Sequence, residues 1–293
     1  ENIKNIKNQI NKISISESRI FINGPTGSGK ELIARKIHKE SNRKKFPFTI
    51  LNGALLDLEK YELQLFGEEK NDGAIFYGAL EKSTGGILLI DEISEVPLET
   101  QSKILRVLTD QKFKRINGTH DISVDVRIIC SSSKDIKKEI ELGNFREDLY
   151  HRLNVFEINI EPLKNRVSDI PLLVEYFSEK ISLKNNFKKL NINTNNSYLL
   201  NYEWPGNVRE LRNLIERIAI LSPDSPDKIS NIIKESLKTS EFKSMPLENS
   251  LSTTLKEARE NFEKEYLTTQ LRKFNGNISK TADFIGMERS ALH

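Results

Sequence analysis

The amino-acid sequence predicts an α/β fold in which a parallel β-sheet carries helices on both faces and is followed by a small all-α region. Three observations support this prediction. Short apolar strand patterns alternate with helical patterns through the first 160 residues, an order typical of parallel sheets. A glycine-rich loop separates the first strand pattern from the next helical one. From about Arg166 onward the strand patterns stop and only helical patterns remain.

The individual elements follow from hydrophobic periodicity. Short apolar runs predict strands at residues 19–23, 48–52, 86–90, 126–131 and 155–160. Helical spacing predicts helices within 1–18 and over 31–41, 170–184, 194–202, 208–221 and 254–274. The stretch 222–251 is rich in Ser, Pro, Asp and Lys, which indicates a linker with one short helix near 229–237. The predicted domains are 1–165, 166–236 and 252–293, with the final linker at 237–251.

The composition excludes several classes of protein. Of the 293 residues, 37% are hydrophobic and 30% are charged, which is typical of globular domains and not of disordered chains. No apolar run approaches the ~20 residues that span a bilayer, and the first residues lack the apolar core of a signal peptide. The single cysteine, Cys130, excludes an internal disulfide, and the four histidines are scattered without metal-ligand spacing. We expect a cytoplasmic protein without a membrane partner.

A phosphate-binding loop is predicted between the first strand and the helix after it. Residues 24–30 match G-x-x-x-x-G-K in the strand–loop–helix context that the motif needs. Backbone N–H groups of such a loop surround phosphate oxygens, and Lys30 is expected to reach the β- and γ-phosphates. Glu31 stands where a hydroxyl usually binds Mg²⁺, so the metal would depend on phosphates, water and Asp91. The predicted nucleotide-binding residues of this segment are Gly24, Pro25, Thr26, Gly27, Ser28, Gly29, Lys30 and Glu31.

Two carboxylates follow the third strand pattern. The apolar run 87–90 ends in Asp91 and Glu92, and α/β sheets bind ligands at the carboxyl ends of their strands. We expect Asp91 to hold Mg²⁺ through water and Glu92 to polarise an attacking water. A charged strand end alone is common, and a glycine turn can precede a lysine by chance. The two motifs in this order predict a site for ATP or ADP.

The order of the motifs resembles that of the bacterial enhancer-binding proteins, an AAA+ family. The resemblance runs through residues 1–221. Beside the glycine-rich loop it rests on 62–67 (ELQLFG), 85–97 (GGILLIDEISEVP), 101–108 (QSKILRVL), 125–129, 145–153 (FREDLYHRL) and 204–212 (WPGNVRELR). It implies an α/β AAA+ subdomain with an α-helical lid, ATP or ADP with Mg²⁺ as cofactors, and self-association as a dimer or a higher AAA+ oligomer.

The resemblance also implies roles for individual residues. Asn52 corresponds to a switch residue that restrains the catalytic glutamate, here Glu92. Arg146 and Arg152 correspond to arginine fingers that reach the ATP of a neighbouring subunit, where positive charge stabilises the transferred phosphoryl group. Six residues apart on a helix, these two would lie on nearly opposite faces, which leaves one of them as a structural candidate. Arg209 corresponds to a lid arginine that senses the nucleotide. A surface ion pair is the alternative for each arginine.

Two departures from the family pattern bear on function. Activators of the family contact the sigma-54 factor through a GAFTGA loop, and the interval 68–84 (EEKNDGAIFYGALEKST) is shorter and lacks this sequence. The sensor asparagine after the fourth strand is replaced by Ser133, whose shorter side chain we expect to position water less well. Both features resemble the NtrX-type nitrogen-regulation response regulators, which carry a receiver domain and have a cognate histidine kinase. Residues 1–18 leave no room for a receiver, so we expect a piece of a longer protein.

The C-terminal segment resembles the Fis-type helix-turn-helix that ends such regulators. A helical pattern around Ala282 is followed by a tight turn at 285–287 and by the start of a recognition helix. The recognition helix of this motif lies in the major groove of DNA, and its first residues contact base edges. A generic three-helix bundle is the alternative. The predicted DNA contacts are Arg289, Ser290 and His293.

The leading hypothesis is a DNA-binding transcription regulator of a two-component system whose AAA+ domain uses ATP to control assembly. Its expected partners are DNA, a second copy, RNA polymerase and a histidine kinase, and we expect no activation of sigma-54 polymerase. The second hypothesis is a free-standing AAA+ remodelling ATPase, which the Fis-like segment disfavours. The third is a nucleotide-binding scaffold without turnover. Glu92 and the two finger candidates favour hydrolysis, whereas Ser133 disfavours it.

Overall fold

The computed structural model describes residues 2–55, 58–185, 190–221 and 225–243. The chain divides into two compact units, 1–233 and 234–293, and the fold below is that of the first. The predicted DNA contacts Arg289, Ser290 and His293 lie outside the described residues, as does the whole of the predicted helix-turn-helix.

The elements alternate as the sequence predicts. The strands are β1 (Ile20–Asn23), β2 (Phe48–Asn52), β3 (Gly67–Glu69), β4 (Ile75–Tyr77), β5 (Ile87–Asp91), β6 (Lys112–Phe113), β7 (Ile122–Ser123), β8 (Arg127–Ser132) and β9 (Phe156–Asn159). The helices are α1 (Asn2–Ile13), α2 (Lys30–Glu40), α3 (Leu58–Phe66), α4 (Ala79–Lys82), α5 (Leu98–Asp110), α6 (Ile136–Glu141), α7 (Glu147–Leu153), α8 (Asp169–Asn185), α9 (Ser197–Asn201), α10 (Asn207–Leu221) and α11 (Pro226–Lys243).

The central sheet contains five parallel strands in the order β2–β5–β8–β1–β9. This arrangement confirms the predicted α/β fold, and each of the five strand predictions is correct to within one residue at either end. The apolar residues 87–90 of β5 are buried, as expected for a strand between two covered faces. All five strands end at one edge of the sheet, where the two predicted motifs therefore meet.

Separate apolar cores cover the two faces of the sheet. On one face, Ile6, Ile10 and Ile13 of α1 pack with Ala34 and Ile37 of α2 against alternate residues of the strands. This confirms that the isoleucine stripe of the lead-in segment is a helix face. On the other face, side chains of α3, α5 and α7 pack against Phe21, Leu88 and Cys130. Burial in that core raises the pKa of the Cys130 thiol.

The structure differs from the predictions at several short or terminal elements. The helix predicted over 194–202 is limited to Ser197–Asn201 because Asn196 caps it, its side chain accepting a hydrogen bond from the Tyr198 N–H at 2.9 Å. The helix expected to be short continues as α11 to Lys243, into the predicted linker, because no Gly or Pro interrupts it after Pro226. The hairpins β3–β4 and β6–β7 were not predicted, since strands of two or three residues show no periodicity.

Candidate functional site

The glycine-rich loop joins β1 to α2 at the carboxyl edge of the sheet. Gly29 precedes the first residue of α2 with φ 111°, and Gly27 has φ 76°. Both angles lie in the left-handed region that side chains rarely adopt. A Cβ at Gly27 would also overlap the carbonyl oxygen of Gly206. The loop therefore requires glycine at both positions. Gly29 allows the turn into α2, and Gly27 allows the close approach of the segment that contains Gly206.

Lys30 and Glu92, predicted from separate motifs, form an ion pair at this edge. The Lys30 Nζ atom lies 3.0 Å from Glu92 Oε1 and donates a hydrogen bond of 2.9 Å to the Gly24 carbonyl oxygen. The exposed fractions of the Lys30 and Glu92 side chains are 6% and 14%. The lysine that is expected to bind phosphate is thus held by the carboxylate that is expected to activate water.

Ser133 holds the other oxygen of Glu92. Glu92 Oε2 accepts hydrogen bonds from the Ser133 N–H at 2.8 Å and from its hydroxyl at 2.7 Å. Burial raises the pKa of Glu92, but the bonds from Ser133 and Lys30 outweigh it, and the pKa lies below its ordinary value. The Glu92 backbone has φ 53°, a strained conformation of the kind found at functional sites. In this structure the serine orients the glutamate itself.

Asn52 contacts Asp91 and not Glu92, which differs from the role implied by the family resemblance. Its Nδ2 atom lies 3.4 Å from Asp91 Oδ2, and the Ser131 hydroxyl donates to Asp91 Oδ1. The reason is the register: Asn52 and Asp91 are neighbours on β2 and β5, whereas the positive φ of Glu92 turns it toward Ser133. Asp91 is therefore oriented from both neighbouring strands. Ser131 was not singled out from the sequence, where no motif marks it.

The two finger candidates lie at opposite ends of α7. Arg146 is the N-cap residue with an extended backbone, so the helical-face comparison with Arg152 does not apply to it. Its exposed guanidinium binds Asp148 through two hydrogen bonds, of 3.0 and 2.7 Å. Arg152 lines a cavity of 440 Å³ together with Arg19. Burial lowers the pKa of Arg19, and the neighbouring charge of Arg152 lowers it further. Among the described residues, no hydrogen bond or ion pair joins either finger candidate to the phosphate loop of its own chain.

The lid residues approach the phosphate loop from outside the sheet. The Arg209 N–H donates to the Gly27 carbonyl at 3.3 Å, while the Arg209 side chain is exposed. Asn207 donates to the Thr26 carbonyl and Arg166 to the Ser28 carbonyl, both at 3.0 Å. Asn207 and Arg166 were missed by sequence reasoning. Asn207 belongs to the motif at residues 204–212 (WPGNVRELR), which could have indicated it, whereas no pattern marks Arg166.

The predicted nucleotide-binding residue Glu31 is paired with a residue of its own helix. Glu31 forms an ion pair of 2.7 Å with Arg35, one turn along α2, and both side chains are about half exposed. Among the side chains that the structure describes, no three His, Cys, Asp or Glu residues form a group suited to a metal ion. In residues 2–55, 58–185, 190–221 and 225–243, no helix is long and apolar enough to cross a membrane.

The interval that lacks the GAFTGA sequence forms a short hairpin. β3 and β4 pair in antiparallel fashion, and the turn between them closes with a bond of 2.9 Å from the Lys70 N–H to the Ala74 carbonyl. Ile116 holds the hairpin through two bonds of 3.0 Å, to Gly67 and Glu69. The side chains of residues 75–77 are exposed. Lys82 lies 4.7 Å from the ring of Phe76, and Arg115 lies 5.4 Å from the ring of Tyr77.

Comparisons with known proteins agree with this architecture. The chain matches the sigma-54 interaction domain over residues 1–159, more than half of its length, then the AAA+ ATPase lid domain over 164–248 and the Fis family of bacterial regulatory proteins over 258–293. It is 43% identical, over 99% of its length, to the nitrogen assimilation regulatory protein NtrX of Azorhizobium caulinodans.

The chain is also similar to two solved structures of NtrX from Brucella abortus, one in complex with ATP and one in complex with ADP. Each is 44% identical to the chain and covers 99% of its length. The TM-scores are 0.76 for the ATP complex and 0.77 for the ADP complex. The chain spans 66% of the Azorhizobium protein and 66% and 65% of the two Brucella chains. The chain therefore belongs to the family of proteins with a sigma-54 interaction domain, followed by an AAA+ lid and a Fis-family segment.

Proposed function

We propose that the chain binds ATP and ADP at the crevice formed by the phosphate loop 24–30, Asp91 and Arg209. The observation that carries this proposal is the 3.0 Å approach of Lys30 Nζ to Glu92, which brings the phosphate-binding and water-activating groups together. The loop also fits a ligand with many acceptors. The buried Ser28 hydroxyl has no hydrogen-bond partner within the described residues, and no heavy atom beyond the adjoining residues lies within 4 Å of a Cβ built at Gly29. Calorimetric titration with each nucleotide tests the proposal.

Asp91 is the residue that would hold Mg²⁺ at this edge. Ser131 and Asn52 each donate a hydrogen bond to one of its oxygens, and this leaves further lone pairs on both. Magnesium commonly binds one or two carboxylates together with substrate phosphates and water. Such an ion would neutralise charge on the β- and γ-phosphates. Glu31 is not part of this proposal, because its carboxylate is paired with Arg35.

Hydrolysis requires the Lys30–Glu92 pair to open. Incoming phosphate oxygens compete with Glu92 for Lys30, and a released Glu92 keeps its two hydrogen bonds from Ser133, which favour the ionised carboxylate. Ser133 then remains to orient the carboxylate toward a water. We propose that the chain is an ATPase whose turnover depends on assembly. A nucleotide-binding scaffold is the second candidate, which the closed ion pair favours. The steady-state rate of ATP hydrolysis against protein concentration separates them: a self-assembling ATPase accelerates and a scaffold stays silent.

Arg146→Ala is expected to retain ATP binding and lose turnover. The Arg146 guanidinium is exposed and already presents a two-pronged face to a carboxylate, the geometry that also suits a phosphate. Arginine fingers contribute roughly 10³- to 10⁵-fold to turnover. ATP binding is measured by calorimetry and turnover by phosphate release.

Mixing the Arg146→Ala protein into wild type should lower activity non-linearly, since each finger serves a neighbour. Arg106→Ala, an exposed arginine on α5, is the matched control and should keep its turnover. Full-rate hydrolysis by a demonstrably monomeric sample would contradict action between subunits.

We also propose that the complete protein is a DNA-binding regulator of a two-component system, acting in nitrogen regulation with a histidine kinase and RNA polymerase as partners. The Fis-family match over 258–293 supports DNA binding, and the NtrX relative supports the regulatory role. The hairpin β3–β4 supports a regulator that acts by occupying DNA, since it lacks the GAFTGA sequence and its short turn is closed by the bond from the Lys70 N–H to the Ala74 carbonyl. Its AAA+ domain would then tune assembly.

In vitro transcription is expected to show no ATP-dependent open complex when the full-length protein is added to sigma-54 polymerase. The physical reason is the short hairpin, which offers neither the sequence nor the reach of an activating loop. The measurement uses a promoter carrying the protein's binding site, with footprinting of the same samples as a control for DNA occupancy. DNA protection without activation supports the proposal, and robust open-complex formation refutes it.

A further inference from the structure

Three consecutive carbonyl groups of the phosphate loop are bound by donors that come from the lid side. The Thr26 carbonyl accepts from Asn207 Nδ2 at 3.0 Å. The Gly27 carbonyl accepts from the Arg209 N–H at 3.3 Å, and the Ser28 carbonyl from Arg166 Nη2 at 3.0 Å. No sheet strand contributes to these three bonds. The backbone of the loop is thus contacted from one side by residues 166–209.

Asn207 is specialised for this contact. The residue is 2% exposed and has φ 51°, a conformation that asparagine tolerates better than most side chains. Its Oδ1 atom accepts a hydrogen bond of 2.8 Å from the Leu163 N–H, so the amide faces two partners at once. One end of the amide fastens the segment after β9, and the other end fastens the phosphate loop.

Arg166 is also committed to this position. It is 8% exposed, and its Nε atom donates to the Glu161 carbonyl at 3.1 Å. Its Nη1 atom lies 3.5 Å from Asp169 at the start of α8. Burial lowers the pKa of Arg166, an effect that Asp169 opposes. A buried cation therefore sits directly behind the loop that is proposed to receive phosphate.

These bonds determine which way the loop presents its N–H groups. In a trans peptide the carbonyl and the following N–H point in opposite directions. Fixing the Thr26 and Ser28 carbonyls toward the lid therefore points the N–H groups of Gly27 and Gly29 away from it. The backbones of Gly27 and Gly206 also pack closely, since a Cβ at Gly27 would overlap the Gly206 carbonyl oxygen. Movement of the lid segment must accordingly rotate the peptides that surround a phosphate.

We propose that Asn207 and Arg166 are positioning residues that set the backbone of the phosphate loop and couple nucleotide occupancy to the lid through the Thr26 and Ser28 carbonyls. This inference rests on the proposed nucleotide binding and adds a backbone route that is independent of the Arg209 side chain. The coupling runs in both directions: the lid tunes nucleotide affinity, and a bound nucleotide restrains the lid.

Two substitutions of Asn207 both remove the Nδ2 group that donates to the Thr26 carbonyl, and they differ in every other respect. Asn207→Asp keeps an acceptor for the Leu163 N–H, while Asn207→Gly keeps the positive φ and adds no charge. Each is expected to weaken ADP binding roughly 3- to 10-fold, the usual effect of one hydrogen bond. Arg166→Lys keeps the positive charge, but a single ammonium group cannot replace the guanidinium that donates to both the Glu161 and the Ser28 carbonyls. This variant should weaken ADP binding to a similar extent. Thermal unfolding without nucleotide shows which variants remain folded.

Hydrogen exchange of the backbone amides at saturating ADP separates lost coupling from weaker binding. Every variant is then fully occupied by ADP, so a lower affinity alone would not change the protection. In wild type, ADP should protect both α2 and α10. In the Asn207 and Arg166 variants, ADP should still protect α2 but no longer α10. The matched control is Lys164→Met, which removes an exposed 2.8 Å ion pair to Glu203 between the same segments without touching the loop. This control should bind and protect as wild type does.

The outcomes separate the two proposals. Wild-type affinity and α10 protection in folded Asn207 and Arg166 variants would overturn the coupling and leave nucleotide binding intact. Loss of protection in Lys164→Met as well would overturn the assignment to these two residues. If wild type itself binds no ADP, the proposed function fails and the coupling fails with it.

Discussion

Lys30→Ala is expected to abolish measurable ATP and ADP binding. Lys30 is the buried cation at the start of α2, and its Nζ atom is directed to the loop carbonyl of Gly24 and to Glu92. Charge-assisted hydrogen bonds contribute about 1.5–3 kcal/mol each, so the loss of contacts to two phosphates weakens binding by at least about 100-fold. Titration calorimetry at neutral pH measures the effect.

A second lysine of α2 provides the control for Lys30→Ala. Lys36 pairs with Glu40 on the half-exposed side of the helix, so Lys36→Ala removes a lysine from the same helix away from the loop. It should bind nucleotide as wild type does. Glu92 keeps both hydrogen bonds from Ser133 in the Lys30 variant, so the fold is expected to persist and circular dichroism can verify it. Unchanged nucleotide affinity in a folded Lys30→Ala protein would rule out the site.

Glu92→Gln is expected to lower ATP turnover by about 10²- to 10⁴-fold, the range for a lost general base, while nucleotide binds more tightly. The amide cannot take a proton from water, which explains the loss. It also removes the ion pair of 3.0 Å that occupies Lys30, so phosphate no longer competes with a carboxylate. A gain of about tenfold in affinity corresponds to about 1.4 kcal/mol of removed competition. Phosphate release and calorimetry measure the two effects separately.

Acid unfolding gives an independent readout for the same variant. The folded-state pKa of Glu92 is lowered, so the ionised carboxylate contributes stability above its ordinary pKa, which is lost as the pH falls through the lowered value. Glu92→Gln should lack this part of the acid transition. Glu95 lies on the same helical turn as Glu92 and forms a partly exposed ion pair of 3.0 Å with Lys134. Glu95→Gln removes this pair and is the control for the turnover measurement, in which it should keep its activity. Normal turnover in Glu92→Gln would remove Glu92 from the chemistry.

The long elements of the fold were predictable because their patterns are local. Buried strands such as β5 are continuous apolar runs, and α1 shows its isoleucine stripe at helical spacing. The hairpins β3–β4 and β6–β7 were missed because two or three residues carry no period, and their pairing depends on contacts such as that of Ile116 with Glu69. The length of α11 was underestimated because the composition of 222–251 indicated a linker, whereas the helix continues without interruption to Lys243.

The sequence alone was enough to identify the residues expected to form the nucleotide site. A glycine loop before Lys30 and an apolar strand before Glu92 are contiguous patterns, and parallel strands bring their ends to one edge. Only the tertiary structure decided which side chains face one another. The register pairs Asn52 with Asp91, and a positive φ turns Glu92 to Ser133. Contacts between residues more than a hundred positions apart, such as Asn207 with Thr26, depend on packing of separate segments, which local sequence patterns do not encode.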